Sequence, residues 1–126
     1  MKTILIVDDD PNNQRMLSYS LKKAGYEVEA ASNGQAGYDI LKNNPISLAI
    51  LDLAMPIMDG ISLLKLIRET EKIKTMPVII LTASGEDDEL VIAEGIGVSG
   101  FLTKPFSSRL MLDIVASLLS GHDGQE

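Results

Sequence analysis

The sequence predicts a doubly wound α/β domain, in which helices cover both faces of a parallel β-sheet. Apolar runs alternate five times with segments of helical periodicity, which is the pattern of consecutive βαβ units. The strongest runs are continuously apolar rather than alternating, as is typical of strands that are buried on both faces. A length of 126 residues fits one such domain.

Five segments are predicted as strands. Four of them are short apolar runs, at Thr3–Val7, Ser47–Leu51, Val78–Leu81 and Phe101–Leu102. The other segment, Tyr26–Ala31, alternates Val28 and Ala30 with glutamates, which is typical of a half-exposed strand at the edge of a sheet.

Helical segments fill the intervals between the predicted strands. The first begins at an Asp10 cap followed by Pro11 and ends at Gly25, and the third begins at Asp59 and Gly60. The predicted inward faces carry Met16, Leu17, Leu21 and Ala24 in the first helix, Ala36, Ile40 and Leu41 in the second, and Ile61, Leu64 and Ile67 in the third. The fifth helix is predicted over Ser107–Leu119, with Leu110, Ile114, Leu118 and their neighbours inward. We expect residues 1–120 to form the domain and residues 121–126 a frayed tail.

The fourth predicted helix, Glu86–Glu94, has a poor amphipathic pattern. Leu90 and Ala93 lie close together on a helical projection and form its expected core face, whereas one of Val91 and Ile92 is expected to face outward. β-Branched residues and nearby glycines lower helix propensity. We therefore expect this helix to be the mobile, partner-facing element.

Composition excludes several classes of function. The chain has no cysteine and one histidine, His122 in the polar C-terminal segment, which argues against a thiolate site, a catalytic triad or a histidine-ligated metal. A formal net charge of −7 argues against direct binding of nucleic acid. The sequence contains no apolar run of membrane-spanning length and no signal peptide, so we expect a soluble, cytoplasmic protein without membrane contact.

The residues that directly follow the predicted strands lie at the edge where a doubly wound sheet binds its ligands, and most of them are polar. They are Asp8, Asp9 and Asp10 after the first strand, Asp52 after the third, Thr82, Ala83 and Ser84 after the fourth, and Thr103, Lys104 and Pro105 after the fifth. Clustered carboxylates without histidine or cysteine favour Mg²⁺ over Zn²⁺. A neighbouring lysine and a hydroxyl suit a phosphoryl group carried on Asp52.

These motifs resemble those of the receiver domain of two-component response regulators. The matching segments are Ile4–Asp9, Leu51–Pro56, Met58–Gly60, Leu81–Ala83 and Gly97–Phe106, and the resemblance covers residues 2–119. It implies a flavodoxin-like (βα)5 sandwich with strand order 2-1-3-4-5.

The resemblance also implies a role for each site residue. Asp52 would be the phosphoacceptor, and Asp9, Asp52 and the backbone carbonyl of Ala54 would bind Mg²⁺ or, alternatively, Mn²⁺. Asp8 would act on the metal through water, and Lys104 would pair with the phosphoryl oxygens. The switch residues would be Thr82 and Phe101, the backbone N–H groups of Leu53 and Ala83 would face the phosphoryl group, and the Lys104–Pro105 bond would be cis.

The implied function is a signalling switch that catalyses its own phosphorylation and slow dephosphorylation. The donor would be a phosphohistidine on a sensor histidine kinase or a histidine phosphotransfer protein. The output would be a downstream protein or a self-dimer, through the face formed by helix 4, strand 5 and helix 5. Since few residues follow Leu119, we expect either a single-domain regulator or the excised receiver of a larger protein.

Three rival functions are weighed against this one. A non-phosphorylated interaction module of the same fold would be expected to have lost one of the site residues. A flavin-binding electron carrier needs a phosphate-binding first loop, which three aspartates would repel. A phosphatase with an aspartate nucleophile would need a second aspartate where this chain has Ala54.

Overall fold

The computed structural model of the protein describes residues 2–53, 55, 57–83 and 88–123. Within these residues five strands alternate with five helices: β1 (Thr3–Val7), α1 (Pro11–Lys23), β2 (Glu27–Ala31), α2 (Gly34–Asn43), β3 (Leu48–Asp52), α3 (Gly60–Glu69), β4 (Val78–Thr82), α4 (Asp88–Ile96), β5 (Gly100–Thr103) and α5 (Ser108–Asp123). None of the helices in the described part of the chain combines the length and apolar character that a membrane crossing needs.

The strands form one parallel sheet in the order β2-β1-β3-β4-β5. β1 therefore has β2 on one side and β3 on the other, and the chain changes direction across the sheet at this point. Ligands of doubly wound sheets bind at such a switch point, outside the carboxyl ends of the strands. The predicted fold class and strand order are confirmed.

Two apolar clusters, one on each face of the sheet, form the core. Within β1 the side chains alternate between them: Leu5 and Val7 pack with α2, α3 and α4, whereas Ile4 and Ile6 pack with α1 and α5. Every residue of β3 and of β4 is buried, as their continuous apolar runs predict. β2 is largely exposed at its edge of the sheet, as its alternating sequence predicts.

Side-chain caps define where three helices begin. The carboxylate of Asp10 accepts a hydrogen bond from the Asn12 N–H at 2.9 Å, and Pro11 follows as the first residue of α1. Asn33 and Asp59 cap α2 and α3 in the same way. The caps predicted at Asp10 and Asp59 are confirmed.

Some predicted inward faces are displaced in the structure. In α5 the buried residues are Met111, Val115 and Leu119, while Leu110 is 50% exposed. The two stripes lie one position apart, which is about 100° around the helix, and the sequence is apolar at both. In α1 only Leu17 and Leu21 of the predicted face are buried, whereas Met16 and Ala24 are exposed.

The bounds of α5 also differ from the prediction. The Ser107 hydroxyl accepts a hydrogen bond from the Leu110 N–H at 2.9 Å, so Ser107 caps the helix rather than lying within it. At its other end α5 continues to Asp123, three residues into the segment predicted as a tail. The remaining tail residues, 124–126, lie outside the described part of the chain.

The buried face of α4 agrees with the prediction, but more of its apolar residues are exposed than predicted. Leu90 and Ala93 are its buried residues, as expected. Both Val91 and Ile92 face solvent, with 63% and 52% of their surfaces exposed, where the prediction was that one of them would. Glu86 and Asp87, the predicted start of the helix, lie outside the described residues.

Candidate functional site

Three carboxylates meet at the carboxyl edge of the sheet. β1 and β3 are neighbours, with Val7 paired to Leu51, so the residues that end these strands lie side by side. One carboxylate oxygen from each of Asp8, Asp9 and Asp52 lies within 4.8 Å of the others. Asp8 and Asp52 are buried and Asp9 is exposed. The acidic cluster predicted from strand ends is therefore present in the structure.

Asp8 is the most deeply buried member of the cluster. Its Oδ1 accepts a hydrogen bond from the Asp10 N–H at 2.9 Å, whereas its buried Oδ2 has no hydrogen-bond partner. Burial raises the pKa of Asp8, the Asp10 N–H opposes this effect, and the negative charge of Asp52 raises the pKa further. The Asp10 N–H and the positive charge of Lys104 thus compensate ionised Asp8 only in part for its loss of solvent.

A hard divalent cation fits this donor set. A buried carboxylate oxygen with no hydrogen bond, beside two more carboxylates, is stabilised by a positive charge. Oxygen ligands alone favour Mg²⁺, which binds through one or two carboxylates and keeps several waters. Mn²⁺ accepts similar ligands. The backbone carbonyl of Ala54, which the resemblance adds to the metal ligands, lies outside the described residues.

Lys104 supplies the positive charge at the cluster. Its Nζ lies 3.3 Å from Oδ2 of Asp52, whose side chain is only 8% exposed. The Lys104 N–H donates to the carbonyl oxygen of Thr82 at 2.8 Å, which holds the loop after β5 against the end of β4. The Lys104–Pro105 bond is cis, as the resemblance implies.

Thr82 and Phe101 lie on the side of the site formed by β4 and β5. Thr82 ends β4 and is buried, and its neighbour Ala83 is exposed. Phe101 pairs with Ile80 across the two strands and has a partly exposed ring. The two predicted switch residues therefore occupy neighbouring strands, one inside the protein and one at its surface.

One backbone group predicted at the site has another role in this structure. The Leu53 N–H donates to the carbonyl oxygen of Leu81 at 3.2 Å and extends the β3–β4 ladder by one bond. The sheet uses this N–H group in the present structure, and its contact with a phosphoryl group stays a prediction. Ser84, which follows the fourth predicted strand, lies outside the described residues.

Gly60, predicted from sequence as the start of the third helix, also shapes the site. A Cβ atom at this position would lie 2.4 Å from the carbonyl oxygen of Asp52 and 2.8 Å from the Cα of Leu53. The Gly60 N–H donates to the Leu53 carbonyl oxygen at 3.0 Å. The start of α3 thus packs directly on the backbone of Asp52. In the sequence, its position after the cap residue Asp59 indicates the start of a helix. Its close approach to the backbone of Asp52 depends on tertiary structure.

Comparison with known proteins identifies the family. The family model described as the response regulator receiver domain matches residues 4–116. The chain belongs to the response regulator receiver family. It is 39% identical over 118 residues to the transcriptional regulatory protein GltR of Pseudomonas aeruginosa, covering 94% of this chain and 49% of that protein. It is also 39% identical over 116 residues to SrrA of Staphylococcus aureus, covering 92% and 47%.

Solved structures agree with this membership. The chemotaxis response regulator CheY4 of Vibrio cholerae superposes with a TM-score of 0.89 at 30% identity, over 94% of this chain and 99% of that one. The signal receiver domain of a signal transduction histidine kinase from Syntrophus aciditrophicus gives a TM-score of 0.91 at 32% identity, over 100% and 96%. A chemotaxis response regulator and the receiver domain of a histidine kinase therefore share this fold.

The same comparisons bear on nucleic-acid binding. This receiver spans about half the length of GltR and of SrrA, which are both named transcriptional regulatory proteins. The expectation of no direct contact with nucleic acid, which was based on net charge, is not supported by these relatives.

Proposed function

We propose that this receiver is a phosphorylation-dependent signalling switch in which Asp52 accepts a phosphoryl group from a phosphohistidine. The observation that carries the proposal is the setting of Asp52. Its buried carboxylate lies beside the carboxylates of Asp8 and Asp9 and 3.3 Å from the Lys104 ammonium. This arrangement provides a nucleophile, a cation site and a counter-charge at one sheet edge.

In the proposed transfer a carboxylate oxygen of Asp52 attacks the phosphorus atom. The phosphorus–nitrogen bond of the donor breaks, an oxygen–phosphorus bond forms on Asp52, and the donor histidine leaves as neutral imidazole after taking up a proton. Mg²⁺ held by Asp9, Asp52 and the Ala54 carbonyl would neutralise charge on the phosphoryl oxygens. Asp8 would act on the metal through water.

The remaining site residues would stabilise the product and report its formation. Lys104 would exchange its contact with Asp52 Oδ2 for one with a phosphoryl oxygen, since both are anionic. The Thr82 hydroxyl and the Ala83 N–H would donate to the other oxygens. Phe101 lies on β5, next to β4, which ends at Thr82. A shift of Thr82 toward the phosphoryl group would therefore open space for the ring of Phe101.

The surface that responds would be the face formed by α4, β5 and α5. Exposed apolar side chains occur on all three elements, among them Ile92, Phe101 and Leu110. Phosphorylation adds a charge of about −1.5 to −2 at Asp52, which would bias this face between two arrangements. Its partner would be a downstream protein or a second copy of the receiver.

The proposed setting is the cytoplasm, where a sensor histidine kinase or a histidine phosphotransfer protein would be the donor. The phosphorylated state would be long-lived, because neither Ala54 nor Ser84 carries a carboxylate or a carboxamide to orient the attacking water.

Intact mass after incubation with acetyl phosphate and Mg²⁺ tests the proposal. We expect a gain of one phosphoryl group that disappears in excess chelator and in Asp52→Asn. Asp59→Asn is the matched control, since Asp59 caps α3 outside the cluster and asparagine caps equally well. It should be phosphorylated like the wild type. A protein that gains no mass would instead be the non-phosphorylated module, and a gain retained by Asp52→Asn would place the acceptor elsewhere.

A further inference from the structure

Gln14, in the first turns of α1, makes contacts that neither the fold nor the proposed transfer explains. Its side-chain nitrogen Nε2 lies 2.6 Å from the carbonyl oxygen of Asp8 and 2.9 Å from that of Ala31. The hydroxyl oxygen of Ser32 is 3.3 Å from the same nitrogen. One side chain thus joins α1 to the ends of β1 and β2.

The acceptors determine which way the amide of Gln14 points. Carbonyl oxygens only accept hydrogen bonds, so the nitrogen of the amide, and not its oxygen, must face Asp8 and Ala31. The two hydrogens on this nitrogen match the two carbonyl groups. An apolar or acidic side chain of the same length could not make these bonds.

The position of these bonds matters because they lie where the β1–β2 ladder ends. The Asp8 N–H makes a ladder bond beyond β1, donating to the Ala31 carbonyl oxygen at 3.0 Å. The Gln14 side chain donates to the carbonyl oxygen of Asp8, the first residue after β1. This carbonyl belongs to the peptide unit that links Asp8 to Asp9. Fixing its plane therefore fixes the positions of the Asp9 N and Cα atoms, from which the Asp9 side chain extends.

We infer that Gln14 is a positioning residue for the metal ligand Asp9, an inference that rests on the proposed Mg²⁺ site. Mg²⁺ requires near-octahedral geometry with oxygen ligands at about 2.0–2.1 Å, so small displacements of a ligand weaken binding. Asp9 is the exposed member of the cluster, while Asp8 and Asp52 are held by burial. Gln14 compensates for this difference by ordering the backbone next to Asp9.

Direct titration with Mg²⁺ alone tests this role. The chain has no tryptophan to report binding by fluorescence, so backbone amide NMR shifts are the suitable readout. In Gln14→Met, which keeps the length of the side chain and removes its donors, we expect the Mg²⁺ dissociation constant to rise about tenfold, or about 1.4 kcal/mol. Phosphorylation by acetyl phosphate at saturating Mg²⁺ should still reach the wild-type mass.

Gln35→Met is the matched control, because the Gln35 amide donates to Asp39 on the exposed surface of α2 and not to a residue of the cluster. Its Mg²⁺ affinity should equal that of the wild type. A folded Gln14→Met protein with wild-type affinity would reduce Gln14 to a structural residue and overturn the inference. If that variant does not fold, Gln14→Asn, with an amide too short to reach both carbonyls, must show the weakened affinity for the inference to stand. A wild-type protein that binds no Mg²⁺ would overturn the proposed function as well.

Discussion

The centre of the sheet and the flank formed by α4 and β5 are built in different ways. All residues of β3 and β4 are buried, and the start of α3 packs so closely on the end of β3 that Gly60 leaves no room for a Cβ atom beside Asp52. In contrast, α4 buries only Leu90 and Ala93, and Leu102 is the one buried residue of β5. The proposed chemistry thus lies on the closely packed region, and the proposed partner-facing surface lies on the loosely packed one.

This difference has a physical basis in local stability. Segments with few buried apolar contacts open at lower free energy than the core of the same domain. α4 begins with Asp88 and Glu89, which suits the positive end of its dipole, but its last turn has no basic residue. A change at Asp52 would therefore be transmitted to the element that is least costly to move.

Gly60→Ala is the substitution with the largest expected effect on the central region. The new methyl group would meet backbone atoms of Asp52 and Leu53, which cannot move without distorting β3 and the start of α3. We expect a loss of about 4 kcal/mol in the free energy of unfolding, measured by urea denaturation.

Gly95→Ala provides the matched change in the flank. A Cβ atom at Gly95 would meet nothing within 4 Å, and alanine favours helix, so we expect a gain of about 0.5–1 kcal/mol. Equal losses for the two variants would remove the contrast between the regions.

Substitutions at neighbouring positions of α4 should differ sharply in their effect on the free energy of unfolding. Leu90→Ala empties a fully packed position and should cost about 3 kcal/mol. Val91→Ala removes mostly exposed surface and should change the free energy of unfolding by less than about 0.5 kcal/mol. Thermal or urea unfolding of both variants measures the difference, and a large cost at Val91 would mean that it contributes to the core.

Asp8→Asn should stabilise the metal-free protein at neutral pH. Because the pKa of Asp8 is raised in the folded state, the folded protein binds this proton more tightly than the unfolded chain. This tighter binding stabilises the folded protein. The stabilisation is complete below the pKa of Asp8 in the unfolded chain and is lost as the pH rises through the pKa of Asp8 in the folded protein. Removing the charge of Asp8 should therefore raise the free energy of unfolding by about 1 kcal/mol at pH 7.

The pH and Mg²⁺ dependence of this gain provide its check. The gain should shrink toward pH values below the ordinary aspartate value of 3.8, where Asp8 is protonated in both states. Saturating Mg²⁺ should also reduce it. Asp59→Asn, at the cap of α3, should show no dependence on Mg²⁺, and a gain of equal size at Asp59 would assign the effect to net charge.

The features predicted best from sequence depend on strand burial and strand order. Continuous apolar runs locate β1, β3 and β4 within a residue, and the residues that end them form the observed cluster, because parallel strands bring their carboxyl ends to one edge. The assignment of Asp52 as acceptor came from combining these strand ends with the family motifs.

Features that depend on side-chain orientation and close approach could not be predicted. Two apolar stripes compete in α5, and only packing against the sheet selects Met111 over Leu110. The contacts of Gln14 require the end of β2 to lie beside the end of β1 at atomic distance. The hydrogen bond from the Leu53 N–H to Leu81 depends on the β3–β4 register, which the sequence does not specify.

Hydrogen exchange with and without beryllofluoride and Mg²⁺ tests most directly whether the rigid centre carries the chemistry and the flank carries the response. In the free protein we expect amides of α4 to exchange faster than those of α1, and those of β3 and β4 to exchange slowest. Beryllofluoride, which mimics the phosphoryl group at Asp52, should change protection in α4 and β5 while leaving α1 unchanged, and Asp52→Asn should abolish the change. If α4 is as protected as α1 and does not respond, the account is contradicted and α4 is not the switch element.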